Sequence, residues 1–455
     1  MSYRGSKRKL KRSLGLSSLI AIGSGAMISS GLFILPGLVF AKAGPAVVLA
    51  YLIAGISLIP AVLSKAELVT AIPKSGGIYH YITKSMGKGV GTFGGFAAWF
   101  SLSLKTAFAL VGIGVFVLLF NPGFTDMEIK LVAVACCLFF TLINLTGVKL
   151  TARIQTAMVV ALLGLLIFYI VAGSSHIQAD RYTPLIPMGA SSVLAVTGMV
   201  YVSFGGLTKI CAVAGEAKNP GRNLPLALLL SLGIMVILYV LVIVVTVGLV
   251  DSSELQNTLI PISLGAEIFM GRTGYLLMGF TALLAFVTTA NAGILTASRD
   301  PMAMGEDRLL PRAFKRISKR GIPRFSVLFT STFIIAAIML LDMENLVKTA
   351  STLKLVLFGL ANVSVIAMRE SRQDTYRPTF RSPLYPWMQI IGILLSIAFI
   401  SMMGKLPLIL VSIFAAFSFA WFLLYRKSKW KKGNALQHVL RRIRKGKETD
   451  IPPKN

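Results

Sequence analysis

Two short runs of small residues, each inside an apolar stretch, are where this chain has material for chemistry. They are Gly23-Ser24-Gly25-Ala26-Met27, within Leu14 to Phe40, and Ser203-Phe204-Gly205-Gly206-Leu207-Thr208, within 191–214. Glycine weakens a helix and bares its backbone, and inside a bilayer unpaired peptide groups persist only where protein covers them or where they line a polar cavity. The chemistry implied is binding: an interrupted helix turns free N–H groups out at one new end and free C=O groups at the other. Packing glycines are routine in membrane helices, but two clusters at corresponding places in two halves of a chain point to a transporter built on broken helices.

Charges at depth add to this. Lys105, Lys209 and Lys354 fall within apolar stretches, where a lysine by default faces a cavity or a partner; snorkelling toward the surface is the alternative. A lysine lining the pocket disfavours cationic solutes and leaves neutral or anionic ones. No acidic residue stands near either run. Thr288 and Thr289 offer adjacent hydroxyls, although paired threonines also bond back to the preceding turn. Lys105 is a further ion-coupling candidate, as proton carrier or internal surrogate for a cation. Glu67 and Glu216, among Lys65, Lys218, Arg222 and Arg299, form either a charge cluster that closes one side or static helix-end pairs.

The elements that position these residues follow from composition. With 55% hydrophobic and 14% charged residues and a mean hydropathy of +0.77, the chain is a polytopic membrane protein. Apolar stretches of about 20 residues, enough to cross about 30 Å of hydrocarbon, number twelve, from 14–40 to 406–425. The net charge of +29 sits between these stretches and at both ends, where it reads as a topology signal and not as a nucleic-acid surface. Basic connections alternate with acidic ones, so both termini are cytoplasmic. Cys136, Cys137 and Cys211 lack metal or redox spacing, and His80, His176 and His438 accompany no nucleophile, phosphate-binding or metal motif; an enzyme is not expected. Residues 76–86 read as an interfacial helix with Tyr79 and Tyr81 at headgroup level. The basic tail, with Trp430 and apolar residues at helical spacing, reads as lying on anionic lipid.

The stretch from Gly23 to Gly37 resembles the first-helix signature of the amino acid, polyamine and organocation (APC) superfamily. Glu67 with Ile72 to Tyr81, Glu216 to Pro225, and Ala297 to Asp307 with Leu310-Pro311 resemble further segments of that superfamily in the expected order. The resemblance implies an amino acid permease: all-α, polytopic, with a LeuT-like 5+5 inverted repeat, twelve transmembrane helices and helices 1 and 6 broken. The expected parts are a basic N-terminus (1–13), a first repeat (14–173), a second repeat (174–368), two added helices (369–425) and a basic tail (426–455). It also implies alternating-access transport at the cell membrane, as symporter or antiporter.

Carried onto this chain, the resemblance assigns a zwitterion's carboxylate to amides around Ser24, Gly25 and Ala26. Its ammonium goes to carbonyls near Ala21, Ile22, Ser203 and Phe204, with Gly205, Gly206, Leu207 and Thr208 completing the site. Leu207 and Thr208 stand where many members carry an aromatic gate and sometimes an acid, which argues against a bulky gate and cationic selectivity. The fifth-helix lysine of proton-coupled relatives is absent, its place falling near Leu162. Thr288 and Thr289, with Ile22 and Gly25, resemble a sodium site, so Na+ coupling, H+ coupling, exchange and facilitated diffusion all remain open, and no other cofactor is expected. Amine or inorganic-ion transport on the same fold is an alternative; a channel is another, since broken helices also line pores, although the absence of a repeated filter motif and the resemblance itself speak against it.

Overall fold

The computed structural model describes residues 12–72, 77–119, 123–146, 152–318, 321–372 and 376–425. The basic tail lies outside these residues, as do residues 1–11 of the basic N-terminus. The regular elements among the described residues are helical, apart from one isolated bridge between Leu14 and Ala217. In chain order the helices are α1 (Leu16–Met27), α2 (Ser30–Phe33), α3 (Leu35–Ala43), α4 (Val47–Ser57), α5 (Ile59–Ala71), α6 (Gly77–Met86), α7 (Lys88–Val115), α8 (Asp126–Thr146) and α9 (Ala152–Ser174). There follow α10 (Gly189–Val200), α11 (Leu207–Ala212), α12 (Pro220–Leu249), α13 (Ser252–Leu255), α14 (Pro261–Glu306), α15 (Arg324–Leu340), α16 (Met343–Glu370), α17 (Trp387–Ser401) and α18 (Lys405–Tyr425).

Nine helical stretches among the described residues are long and apolar enough to cross a membrane, and three further apolar helices, α1, α15 and α17, are shorter. The most apolar part of α7 is 83% buried and that of α18 only 6%, so α7 is the centre of the bundle and α18 its rim. Around α7 pack α14, α16, α6 and α8. Outward faces stay apolar: Leu131, Leu138 and Leu142 form one exposed stripe on α8 at helical spacing.

The first interruption is displaced from where its glycines suggest. Gly23 and Gly25 lie inside an unbroken α1, and the chain leaves helical geometry at Ile28 (ψ 104°) and Ser29 (φ −166°, ψ −156°), then rewinds as α2. The glycines serve close approach instead: a Cβ on Gly23 would lie 2.5 Å from Ile210 Cδ1, and one on Gly25 would collide with Val159. The helix ends where Ser29 Oγ donates to Met27 O (3.4 Å), a local bond that competes with the helical ladder.

The sixth stretch is tightened where the first is unwound. After α10, Tyr201 and Val202 keep right-handed helical angles and Ser203–Gly206 forms a 3-10 turn that runs directly into α11. Helix α14 is two helices merged across Gly271, at φ +60° and ψ −153°. Helix α6 forms as expected, but Tyr79 and Tyr81 are both buried, and Tyr79 donates to Asp307 Oδ2 at 2.7 Å. Its amphipathic face is taken up by α7, α16 and α11, which is why these rings do not stand at headgroup level.

Candidate functional site

The two interruptions meet. Ser203 Oγ donates to the Gly31 carbonyl at 3.0 Å, and Tyr51 Oη donates to the same oxygen at 2.6 Å. A Cβ on Gly206 would stand 2.5 Å from both Ala26 C and Met27 N, and one on Gly31 would collide with Ser203. Only hydrogen at these positions lets the backbones touch. Phe204 turns away, packing on Tyr239 with ring centroids 5.3 Å apart, while Leu207 is fully buried and Thr208 Oγ1 returns to Gly205 O at 2.7 Å.

The displaced interruption changes which backbone groups are free. Amides of Ser24, Gly25 and Ala26 and carbonyls of Ala21 and Ile22 lie within α1, where the helical ladder uses them; this corrects the expected donor and acceptor positions. The acceptors at the end of α1 are the carbonyls after Ser24, whose own oxygen takes the Ile28 amide at 3.1 Å. Ala26 O is met by Lys105 Nζ at 3.0 Å, an amine donor at the negative end of the helix dipole. On the donor side, Ser30 and Gly31 open α2 and have no acceptor in the preceding turn. Around them the Ser24 and Ser30 hydroxyls are buried with no hydrogen-bond partner among the described residues. Such orphans are rare in finished interiors and fit a place where a solute completes the bonding.

Ser351 of α16 holds the second interruption, accepting from Val202 N at 3.1 Å and donating to Met199 O at 2.7 Å. Beside the first, a narrow cavity is lined by Gly25, Ala26, Met158, Val159, Leu162, Lys209, Thr288 and Thr289. Thr288 Oγ1 lies 3.0 Å from both Leu284 O and Ala285 O, so its proton stays in its own helix, whereas buried Thr289 Oγ1 has no partner among the described residues. Ile22 is not part of this lining. Lys209 stands among its walls.

Of the gating candidates, Glu67 is fully buried and ion-paired, but with none of the basic residues named from sequence. Arg369 donates to it twice, Nε to Oε1 at 2.8 Å and Nη2 to Oε2 at 2.5 Å, joined by Tyr376 Oη at 2.8 Å and Ser382 N at 2.8 Å. Burial, and after it the Glu67 carboxylate, push the Tyr376 phenol above its ordinary value. This knot ties the end of α5 to the end of α16 and the loop after it. Lys65 sits over the Phe358 ring instead, 3.9 Å from its centroid. Glu216 acts through its backbone: Ser13 N and Leu14 N donate to its carbonyl at 2.9 and 3.0 Å. Arg299 is exposed, and among the described residues neither Arg299 nor Glu216 makes an ion pair.

A sequence family described as amino acid permease matches residues 18–433, which takes in both interruptions and the knot. The chain belongs to the amino acid permease family. The permease is 24% identical over 443 residues to the branched-chain amino acid permease BcaP of Bacillus subtilis, covering 93% of this chain and 95% of the relative. It is 25% identical over 420 residues to a methylthioribose transporter of the same organism, covering 86% and 88% of the two chains. To the cationic amino acid transporter 3, mitochondrial, of Arabidopsis thaliana it is 29% identical over 384 residues, 80% of the permease and 63% of that relative.

The residues that sequence reading missed were within reach. Ser29, Ser30 and Gly31 lie within the stretch from Gly23 to Gly37, and two successive hydroxyl residues before a glycine are a signal for leaving the helical ladder. Ser351 and Arg369 act across more than 140 residues of chain, and nothing local marks them.

Proposed function

We propose that this permease carries an amino acid across the cell membrane by alternating access, binding it where the two interrupted helices meet. The observation behind this reading is the contact of Gly206 and Ser203 with Met27 and Gly31, beside unpartnered buried hydroxyls. The carboxylate is assigned to the Ser30–Gly31 side and the ammonium to the carbonyls at the end of α1. The fold is read as twelve spans in two inverted repeats, 14–173 and 174–368, with both termini cytoplasmic; an interruption early in each half and the alternating loop charges support it.

Contacts at both ends suit a carrier that closes one side at a time. At one end Lys42 of α3 reaches Glu344 of α16 at 3.0 Å; at the other stand the Glu67 knot and the Leu14–Ala217 bridge. For coupling, Lys209 among the cavity walls supports proton coupling or exchange over sodium. Buried lysines near the site favour neutral or acidic amino acids over cationic ones.

The test is counterflow with purified protein in liposomes, using leucine, lysine and glutamate, repeated under imposed sodium and proton gradients. Saturable counterflow of an amino acid, driven by a pH gradient or by exchange and indifferent to sodium, is the expected outcome. A conductance that never saturates, or no counterflow with any amino acid, removes the carrier reading.

A further inference from the structure

Two lysines meet at the second interruption, and two more stand on other helices of the same bundle. Lys65 (1% exposed), Lys105 (4%) and Lys354 (2%) come from α5, α7 and α16, and Lys209 comes from α11 itself. None of them joins an ion pair among the described residues. Lys105 and Lys354 come together over Gly205: a Cβ there would lie 3.3 Å from Lys354 Cε, 3.4 Å from its Nζ and 3.4 Å from Lys105 Cδ. Glycine at 205 is what leaves the two chains room. Asp300 is the acidic group that acts on Lys354 electrostatically, without forming a salt bridge.

Amines gathered in a dry interior either give up their protons or hold an anion. Asp300, the one carboxylate named here, forms no ion pair with any of the four among the described residues and so leaves room for a second anion. Lys105 also holds Ala26 O, the acceptor that the ammonium of a bound solute would otherwise use. The acceptor end of the first interruption is thus already partly filled by a side chain of the protein itself.

We propose that Lys105 and Lys354, meeting over Gly205, bind an anionic group of the transported solute, so that this permease selects acids carrying a carboxylate beyond the one held at the interruption. The shared chemistry is that of a dicarboxylic amino acid or of a dicarboxylate without the amine. This inference rests on the reading that the solute sits between the two interruptions, and its test separates the two claims.

The full chain, purified into liposomes, is assayed by counterflow with labelled glutamate, succinate, leucine and lysine. The expected result is that glutamate or succinate exceeds leucine and lysine by about tenfold or more, the effect of one charge-assisted contact. Lys354→Gln then raises the half-saturation concentration for the acid by about tenfold, and Lys354→Arg restores it. A variant that simply unfolds loses maximal rate instead, and Lys105→Gln repeats the measurement from the opposite wall. Leucine or lysine counterflow without any acid counterflow overturns the inference and leaves the amino acid reading standing. Succinate counterflow without any amino acid supports the inference and removes the amino acid reading. If Lys354→Gln leaves the half-saturation concentration for the acid unchanged, the pair is not a binding site. Silence with all four solutes overturns both.

Discussion

The two interruptions look alike in sequence, small residues inside an apolar helix, yet they differ in kind. At the first the backbone becomes extended over Ile28 and Ser29 and peptide groups lose their ladder. At the second the chain stays right-handed and only tightens into a 3-10 turn. The first provides bonding groups; the second provides closeness, since Gly206 stands against the Ala26–Met27 peptide. Glycine therefore marks where another backbone approaches, and serine marks where this backbone lets go.

The contrast is broken most directly by adding a methyl group to each helix. Gly206→Ala places a Cβ 2.5 Å from backbone atoms that cannot swing aside, so folded protein or all transport should be lost. Gly23→Ala meets the tip of Ile210 at 2.5 Å, a flexible chain end, and should keep measurable transport with a modest fall in melting temperature. Equal tolerance at both positions would mean that the two interruptions are not in contact.

Ser351→Ala is the next largest. It removes the acceptor of Val202 N and the donor to Met199 O, leaving buried backbone groups unpaired, for about 1–3 kcal/mol of lost stability. Its effect should appear in thermal unfolding, and the second interruption should become the more mobile of the two by hydrogen exchange. If protection there is unchanged, the 3-10 turn holds itself without α16.

How much of this was readable beforehand divides along the same line. Helix positions, the all-α class and the family were legible because apolar length and local signatures are properties of neighbouring residues. The displacement of the first break was not, because glycines at 23 and 25 satisfy two explanations, unwinding and close packing. Only Ile210, Val159 and Ser231, all distant in sequence, decide between them. Glu67 shows the same limit. Its need for a partner follows from burial, but the sequence offered Lys65, Lys218, Arg222 and Arg299 alike, and the partner is Arg369, about 300 residues away.

Ser203→Ala tests the hydrogen bond between the two interruptions. The Gly31 carbonyl keeps Tyr51 as a donor at 2.6 Å, so the loss should be about 1 kcal/mol, read as a small fall in melting temperature. A larger fall would show that the two donors act together and that the contact, more than either helix, holds the region.

The smallest effect on stability belongs to Ser24→Ala, and it discriminates most finely. Ser24 Oγ is buried and has no partner among the described residues, so removing it takes away an unsatisfied group and should leave stability unchanged or slightly higher. Transport reads something else. If the hydroxyl bonds the solute, the half-saturation concentration rises several-fold while the melting temperature of the empty protein holds. If both stay where they were, the orphan is a packing feature of α1, and the bonding groups of the first interruption lie wholly on the Ser29–Gly31 side.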